Sequence, residues 1–341
     1  MGLFGASDTG QGQPDTSMQE VLDAVKALGL TPPWTLSAAE ARKQPTPADG
    51  AKQVMRARGI DPDDDLGVAT KDFEIPGPGG AIKARLYGKQ DETGTKPVVV
   101  YFHGGGWVIA DLDVYDSTPR ALAKATDCIF VSCHYRQAPE DKFPAAHEDA
   151  WAAWQWVTRN AASFGGDGER FAVMGESAGG NLAANVAIRA RDEGGVQPAA
   201  QILVYPIASG DTNSPSYIEN ADAKPLNKPF MEWFFDNALE NGGQRSDPRI
   251  DLVNANLSNL PPATIIAAEI DPLRSEGKLL ADRLEQAGNE AGYTCYEGVT
   301  HEFFGMGLVV KDAAAAQTRV AAALNKALGH GIMGKLADAL S

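Results

Sequence analysis

Phe171-Ala172-Val173-Met174-Gly175-Glu176-Ser177-Ala178-Gly179-Gly180-Asn181 is the stretch from which the rest of the chain is read. Four apolar residues, a run of strand length, end at a glycine, and a small-residue stretch with helical character continues to Arg191. Between them Gly175-Glu176-Ser177-Ala178-Gly179 is a G-x-S-x-G element. Its strand-to-helix context gives the motif its meaning, because a sharp turn there holds a serine Oγ exposed while glycines tolerate the crowded backbone. Ser177 is the candidate nucleophile.

Outward from that turn the same alternation repeats. Short apolar runs at residues 98–102, 128–133, 201–205, 264–268 and 293–296 read as strands. Helical patterns at 118–125, 148–160, 178–191, 274–287 and 313–328 separate them. Continuous apolar strands with helices between them predict an α/β fold, a mostly parallel sheet covered by helices on both faces. Residues 72–75 and 82–87 flank Pro76-Gly77-Pro78-Gly79-Gly80 and predict a β-hairpin. Residues 2–14 are polar and Gly-rich, as in a frayed tail. Three short helical patterns follow at 19–28, 37–43 and 50–58, too small to make a core of their own. Residues 209–241 break the alternation and carry Phe230-Met231-Glu232-Trp233-Phe234-Phe235. That segment is expected to fold over the site with the N-terminal helices. The organisation expected is cap helices over 1–65, a first core segment over 66–208, a cap insertion over 209–241 and a second core segment over 242–341. There is no internal repeat.

The 341 residues carry a formal net charge of −15. That balance argues against a nucleic-acid partner, whose phosphates need a basic face, and against tight binding to anionic membranes. No apolar run is long enough to predict a membrane span. The N-terminus lacks the pattern of a signal peptide, and Ala6 stands where a myristoylation motif needs Ser or Thr. A cytoplasmic protein is expected. The three cysteines fit a reducing compartment. Cys128 and Cys133, five apart on one strand, point to opposite faces and cannot bridge locally.

A serine hydroxyl needs a base within hydrogen-bond reach. Of the five histidines, His103 belongs to another motif, His134 and His147 read as structural or surface residues, and His330 lies in the C-terminal tail. His301, in Val299-Thr300-His301-Glu302-Phe303-Phe304, follows the last strand and fits the order serine, acid, histidine. Asp271 ends the preceding strand just before Pro272 and is the candidate acid, with Glu269 its nearest rival. Glu176 adjoins the serine too closely to orient a base and reads as structural. Tyr101-Phe102-His103-Gly104-Gly105-Gly106-Trp107 follows another buried strand. The amides of Gly104, Gly105 and Ala178 are the candidate oxyanion donors. A phosphate-binding loop is the alternative, but the G-x-G-x-x-G and Walker spacings are missing.

Together with Tyr135-Arg136-Gln137-Ala138-Pro139-Glu140, Phe143-Pro144-Ala145-Ala146 and Asp271-Pro272-Leu273-Arg274, these motifs fall in the order of a known family. The chain resembles the hormone-sensitive-lipase-like (bacterial family IV) carboxylesterases over about residues 98–304. The resemblance implies an α/β-hydrolase core with a helical cap and a serine esterase acting on short- to medium-chain acyl esters. It further implies a small-molecule ester substrate, no metal or organic cofactor, and dimers as an option. Under it Trp107, Trp233 and Phe234 are candidates for lining the substrate pocket, as is Phe235 and more weakly Trp34, with packing inside the cap as the other reading. Three positions depart from the family pattern: Glu176 for Asp, Gln137 for Leu and Ser275 for Asp. The same machinery could serve an amidase or thioesterase. The fold also serves a non-catalytic small-molecule receptor, which characteristically lacks the histidine present here.

Overall fold

The computed structural model describes residues 12–89 and 94–329. Eight strands form one sheet: β1 Val68–Gly77, β2 Gly80–Lys89, β3 Lys96–Phe102, β4 Ile129–Cys133, β5 Gly166–Glu176, β6 Gln201–Val204, β7 Ala263–Ile270 and β8 Ala291–Thr300. Their order is β1-β2-β4-β3-β5-β6-β7-β8. The hairpin β1–β2 pairs antiparallel internally and with β4, and every other pairing is parallel. This is the mostly parallel sheet, preceded by a hairpin, that the strand pattern predicted, and it has the α/β-hydrolase arrangement that the resemblance implied.

Both faces of the sheet are buried, which is why the central strands read as unbroken apolar runs. Val98, Val100 and Phe102 of β3 point into one core with Phe171 and Val173 of β5. The intervening Val99 and Tyr101, with Ala172 and Met174, point into the other. Helices α5 (Ala145–Asn160), α6 (Ala178–Glu193) and α9 (Arg274–Gln286) cover the first face. Helices α1 (Thr16–Ala27), α3 (Pro47–Ala57), α4 (Ser117–Ala125) and α10 (Lys311–Ala327) cover the second. Cys128 and Cys133 fall in opposite cores, as the strand period required, and both are free thiols.

The N-terminal helices bury Met18, Val21, Val54 and Met55 in the second core, so they have the larger partner that their size demands. Most of the expected tail, and His330, lie outside the described residues. The short helix α2 (Ala38–Ala41) is fastened by its C-cap residue, Arg42. That guanidinium donates to the carbonyls of Val108 and Ala138 and pairs with Glu140. Between β6 and β7 lie α7 (Pro215–Glu219) and α8 (Lys228–Ala238). Asn227 caps α8 by accepting from the Phe230 amide, and Pro229 sits in its first turn. Phe230, Met231, Phe234, Phe235 and Ala238 then form its buried face. Two contacts bind α8 to the N-terminal region: Trp34 packs on Phe230 with ring centroids 5.9 Å apart, and Trp233 Nε1 donates to the Leu36 carbonyl at 3.2 Å. No helix among the described residues is long and apolar enough to cross a membrane.

The connections place the chemistry. The chain leaves β3 toward β4 on one side and leaves β5 toward β6 on the other, so a crevice opens between the C-terminal ends of β3 and β5. In open α/β sheets that point is where ligands bind.

Candidate active site

Ser177 stands at the end of β5 with φ 55° and ψ −118°, a conformation a non-glycine residue adopts only under restraint. The restraints are visible. Its amide donates to the Val204 carbonyl, and its own carbonyl accepts from the amides of Asn181 and Ile207. The flanking glycines are steric necessities. A Cβ on Gly175 would stand 2.0 Å from the Gly179 carbonyl oxygen, and one on Gly179 would stand 2.0 Å from that of Phe102. The helix α6 thus starts in near-contact with β3, and only backbone fits between.

Asp271 and His301 follow β7 and β8, adjacent strands, and meet at the serine. His301 Nδ1 lies 2.7 Å from Asp271 Oδ2, and Nε2 lies 3.0 Å from Ser177 Oγ. Asp271 is fully buried, and its other oxygen accepts from the Leu273 amide at 2.8 Å. A carboxylate accepts only, so Nδ1 carries the proton and Nε2 is left to receive one from the hydroxyl. Burial by itself would push the His301 pKa down. Attraction and hydrogen bonding from Asp271, with help from Glu302 and Glu176, outweigh burial and hold it above its ordinary 6.5. Glu269, the rival acid, accepts instead from the Gly298 amide.

Across the crevice runs the glycine loop after β3. Gly105 has φ 101°, and a Cβ there would meet the Ile109 carbonyl oxygen at 2.2 Å. Among the described residues no acceptor engages the amides of Gly104, Gly105 or Ala178. His103 braces the loop from below: its Nδ1 lies 2.7 Å from the Gly104 carbonyl oxygen, so that nitrogen bears the proton. Its Nε2, 2.9 Å from His134 Nδ1, therefore accepts from that ring. Burial, reinforced by His134, depresses the His103 pKa to about 3 and keeps it neutral. Gln137, one of the departures from the family pattern, donates its amide to the carbonyls of Ile109 and Ala110 and pins the far end of the loop. Ser275, another, exchanges hydrogen bonds with Ser216.

Glu176, the third departure, is buried beneath the serine, with Tyr101 Oη donating at 2.6 Å and Tyr205 Oη donating to the other oxygen. The Tyr205 ring in turn packs 4.4 Å from that of His301. Burial raises the Glu176 carboxyl to about 7, against the two tyrosine hydrogen bonds. The folded state therefore holds more protons than the unfolded chain between its ordinary 4.5 and about 7, so this group makes stability fall as pH rises through that window. Glu176→Gln is expected to flatten the decline. Urea unfolding midpoints at several pH values from 4.5 to 7, wild type beside variant, measure it; parallel curves would show that Glu176 does not titrate there.

A cavity of about 1250 Å³ opens above Ser177 and His301. Gly105, Gly106 and Glu302 line its floor, and Trp34, Phe230 and Phe234 line its upper wall. Trp107 does not reach it; the ring is buried against His147 and Phe235. Trp233 is likewise turned away, toward Leu36, and Phe235 is buried in the core with Arg245 over its ring. Of the aromatic candidates, Phe234 and Trp34 line the space and the other three pack around it. His147, expected to be structural or exposed, is buried with Nε2 3.0 Å from Asn181 Oδ1. Glu302 is the residue that sequence reading passes over, since the sequence presents it only as the neighbour of His301. Among the described residues no group of three His, Cys, Asp or Glu is arranged to hold a metal ion.

The sequence model of a family described as having the alpha/beta hydrolase fold matches residues 99–305, which contain the glycine loop, Ser177, Asp271 and His301. The chain belongs to that family. Relatives in this α/β-hydrolase family include carboxylesterase NlhH of Mycobacterium tuberculosis, 42% identical over 251 residues that make up 72% of this chain and 79% of that one. Ethyl acetate hydrolase of Pseudomonas putida is 32% identical over 91% of this chain and 96% of its own. Among solved structures, a thermostable esterase from Pseudomonas putida ECU1011 superimposes with a TM-score of 0.85 at 31% identity, covering 95% of this chain and 99% of that chain. With relatives of this kind along nearly its whole length, the α/β hydrolase described here is a carboxylic ester hydrolase.

Proposed function

We propose that the protein hydrolyses short- to medium-chain acyl esters through an acyl-enzyme on Ser177. The observation that carries this reading is the single imidazole of His301, bonded at one nitrogen to Asp271 and at the other to Ser177. Ser177 Oγ attacks the ester carbonyl while His301 Nε2 takes its proton, and Asp271 holds the tautomer and stabilises the imidazolium. The carbonyl oxygen, now negative, is received by the amides of Gly104, Gly105 and Ala178, whose freedom from other acceptors supports that role. The intermediate collapses as the imidazolium protonates the departing alcohol. Water then attacks the acyl-serine with His301 again as base, releasing the acid and restoring the hydroxyl.

The cavity volume supports acyl chains longer than acetyl, and the printed name of one relative, ethyl acetate hydrolase, supports small alcohols. Hydrolysis of p-nitrophenyl esters from acetate to palmitate tests the chain-length claim. Turnover is expected through medium chains and a fall beyond them; a maximum at palmitate would contradict it. The pH dependence of kcat/KM for the best ester tests the base. Only neutral His301 can accept the serine proton, and its pKa lies above 6.5, so activity should fall on acidification through a pKa above that value. An acid limb below 6 would mean that the carboxylates around His301 do not act as described.

A further inference from the structure

We infer that Glu302, held by Tyr115, forms an acceptor subsite on the leaving-group side of Ser177 and selects esters whose alcohol carries a hydroxyl next to the ester-bearing carbon. The inference rests on the esterase reading above and adds a substrate class to it. Glu302 Oε1 lies 3.8 Å from His301 Nε2, the same nitrogen that faces Ser177 Oγ at 3.0 Å. Glu302 lines the cavity, and its side chain is 22% exposed.

Its hydrogen bonding is incomplete. Tyr115 Oη lies 2.6 Å from one oxygen and 2.7 Å from the other, so one phenolic proton is shared between them. A carboxyl group has about four acceptor directions, and among the described residues nothing else donates to this one. Acceptor capacity is therefore left over, and it faces the space where the reacting group must sit. Burial holds the carboxyl above its usual range, against the pull of His301 and the Tyr115 hydroxyl. Protonated or not, it keeps an oxygen able to accept.

The backbone adds a second sign. Glu302 has φ 72°, a region that strains a non-glycine residue and costs glycine almost nothing. A carboxylate is thus kept where the chain's geometry favours glycine. Tyr115 anchors it to the oxyanion loop, since a Cβ on Gly104 would stand 2.2 Å from the Tyr115 hydroxyl oxygen. The distances then select the ligand. To take a proton from His301, the leaving oxygen must come within about 3 Å of Nε2. A hydroxyl one carbon further along that alcohol comes within reach of Oε1, whereas a methyl group there would displace water from the carboxyl and offer it nothing.

The test compares kcat/KM for 2-hydroxyethyl butyrate and propyl butyrate, which differ by a hydroxyl for a methyl, in wild type, Glu302→Gly and Glu302→Gln. The ratio of the two esters is expected to fall about tenfold in Glu302→Gly, the scale of one hydrogen bond to a charged acceptor. Because both esters are measured on one preparation, partial misfolding cancels in the ratio. Should the glycine variant not fold, Glu302→Gln decides, with a fall of about threefold expected for a weaker neutral acceptor. An unchanged ratio, with both rates falling together, overturns the inference and leaves Glu302 acting on His301 alone. If wild type turns over neither ester, the esterase reading itself fails and the subsite falls with it.

Discussion

Ser177→Ala should lower kcat/KM on any ester substrate by about 10⁴-fold or more, the scale found when the nucleophile of such a triad is removed. The Oγ is the atom that His301 Nε2 faces at 3.0 Å, and among the described residues no second hydroxyl is bonded to that nitrogen. A fluorophosphonate should label wild type with one equivalent, its phosphorus joining Oγ as fluoride leaves, and should leave the alanine variant unlabelled. The substitution deletes one atom at a residue that is 4% exposed, so the fold should survive and thermal unfolding should confirm it. Retained turnover would remove Ser177 from the mechanism and send the search to another nucleophile.

Asp271→Asn should cost about 10⁴-fold in kcat, although the geometry barely changes. In the proposed mechanism the carboxylate acts by accepting a hydrogen bond from Nδ1–H across 2.7 Å. An asparagine turned to keep its Oδ1 bond to the Leu273 amide would point an N–H₂ group at that nitrogen. The ring would then favour a proton on Nε2, where it cannot receive one from the serine. Single-turnover kinetics with a p-nitrophenyl ester, at pH values above the His301 transition, isolate the acylation step. A loss below tenfold would mean that orientation of His301 comes from elsewhere, with Tyr205 packed on its ring the first place to look.

The parts of this fold that were legible in the sequence are those governed by short-range rules. Val98 to Phe102 and Phe171 to Met174 read as strands because alternate side chains enter different cores, which removes every polar position from the run. Asp271 and His301 stand out as candidates because one precedes Pro272 at a strand end, the other follows the last strand, and their order along the chain is serine, acid, histidine. Helix α8 was visible only as aromatic density, although Asn227 and Pro229 are ordinary start signals and its apolar residues recur at helical spacing. What stayed hidden depends on partners far away in sequence. Nothing near Glu176 announces Tyr101 and Tyr205, 75 and 29 residues distant. Nothing beside His301 says that the next side chain turns back toward the same nitrogen, since spacing does not fix a left-handed φ. Trp107, a pocket candidate under the resemblance, has φ 61° and lies in the core.

The bond from Trp233 to the Leu36 carbonyl joins positions 197 residues apart, and Trp34 and Phe230 meet beside it. On the proposed mechanism, the reacting groups and the upper wall of the cavity come from different stretches of the chain. Ser177, Asp271 and His301, the proposed reacting groups, stand at the ends of β5, β7 and β8, while the upper wall is shared between Trp34 and α8. A breeder of variants would gain little at the glycines around Ser177, where added atoms meet backbone. Paired changes at Trp34 and Phe230 are the richer library, because each alters the room available to a substrate and neither is bonded to Ser177, Asp271 or His301.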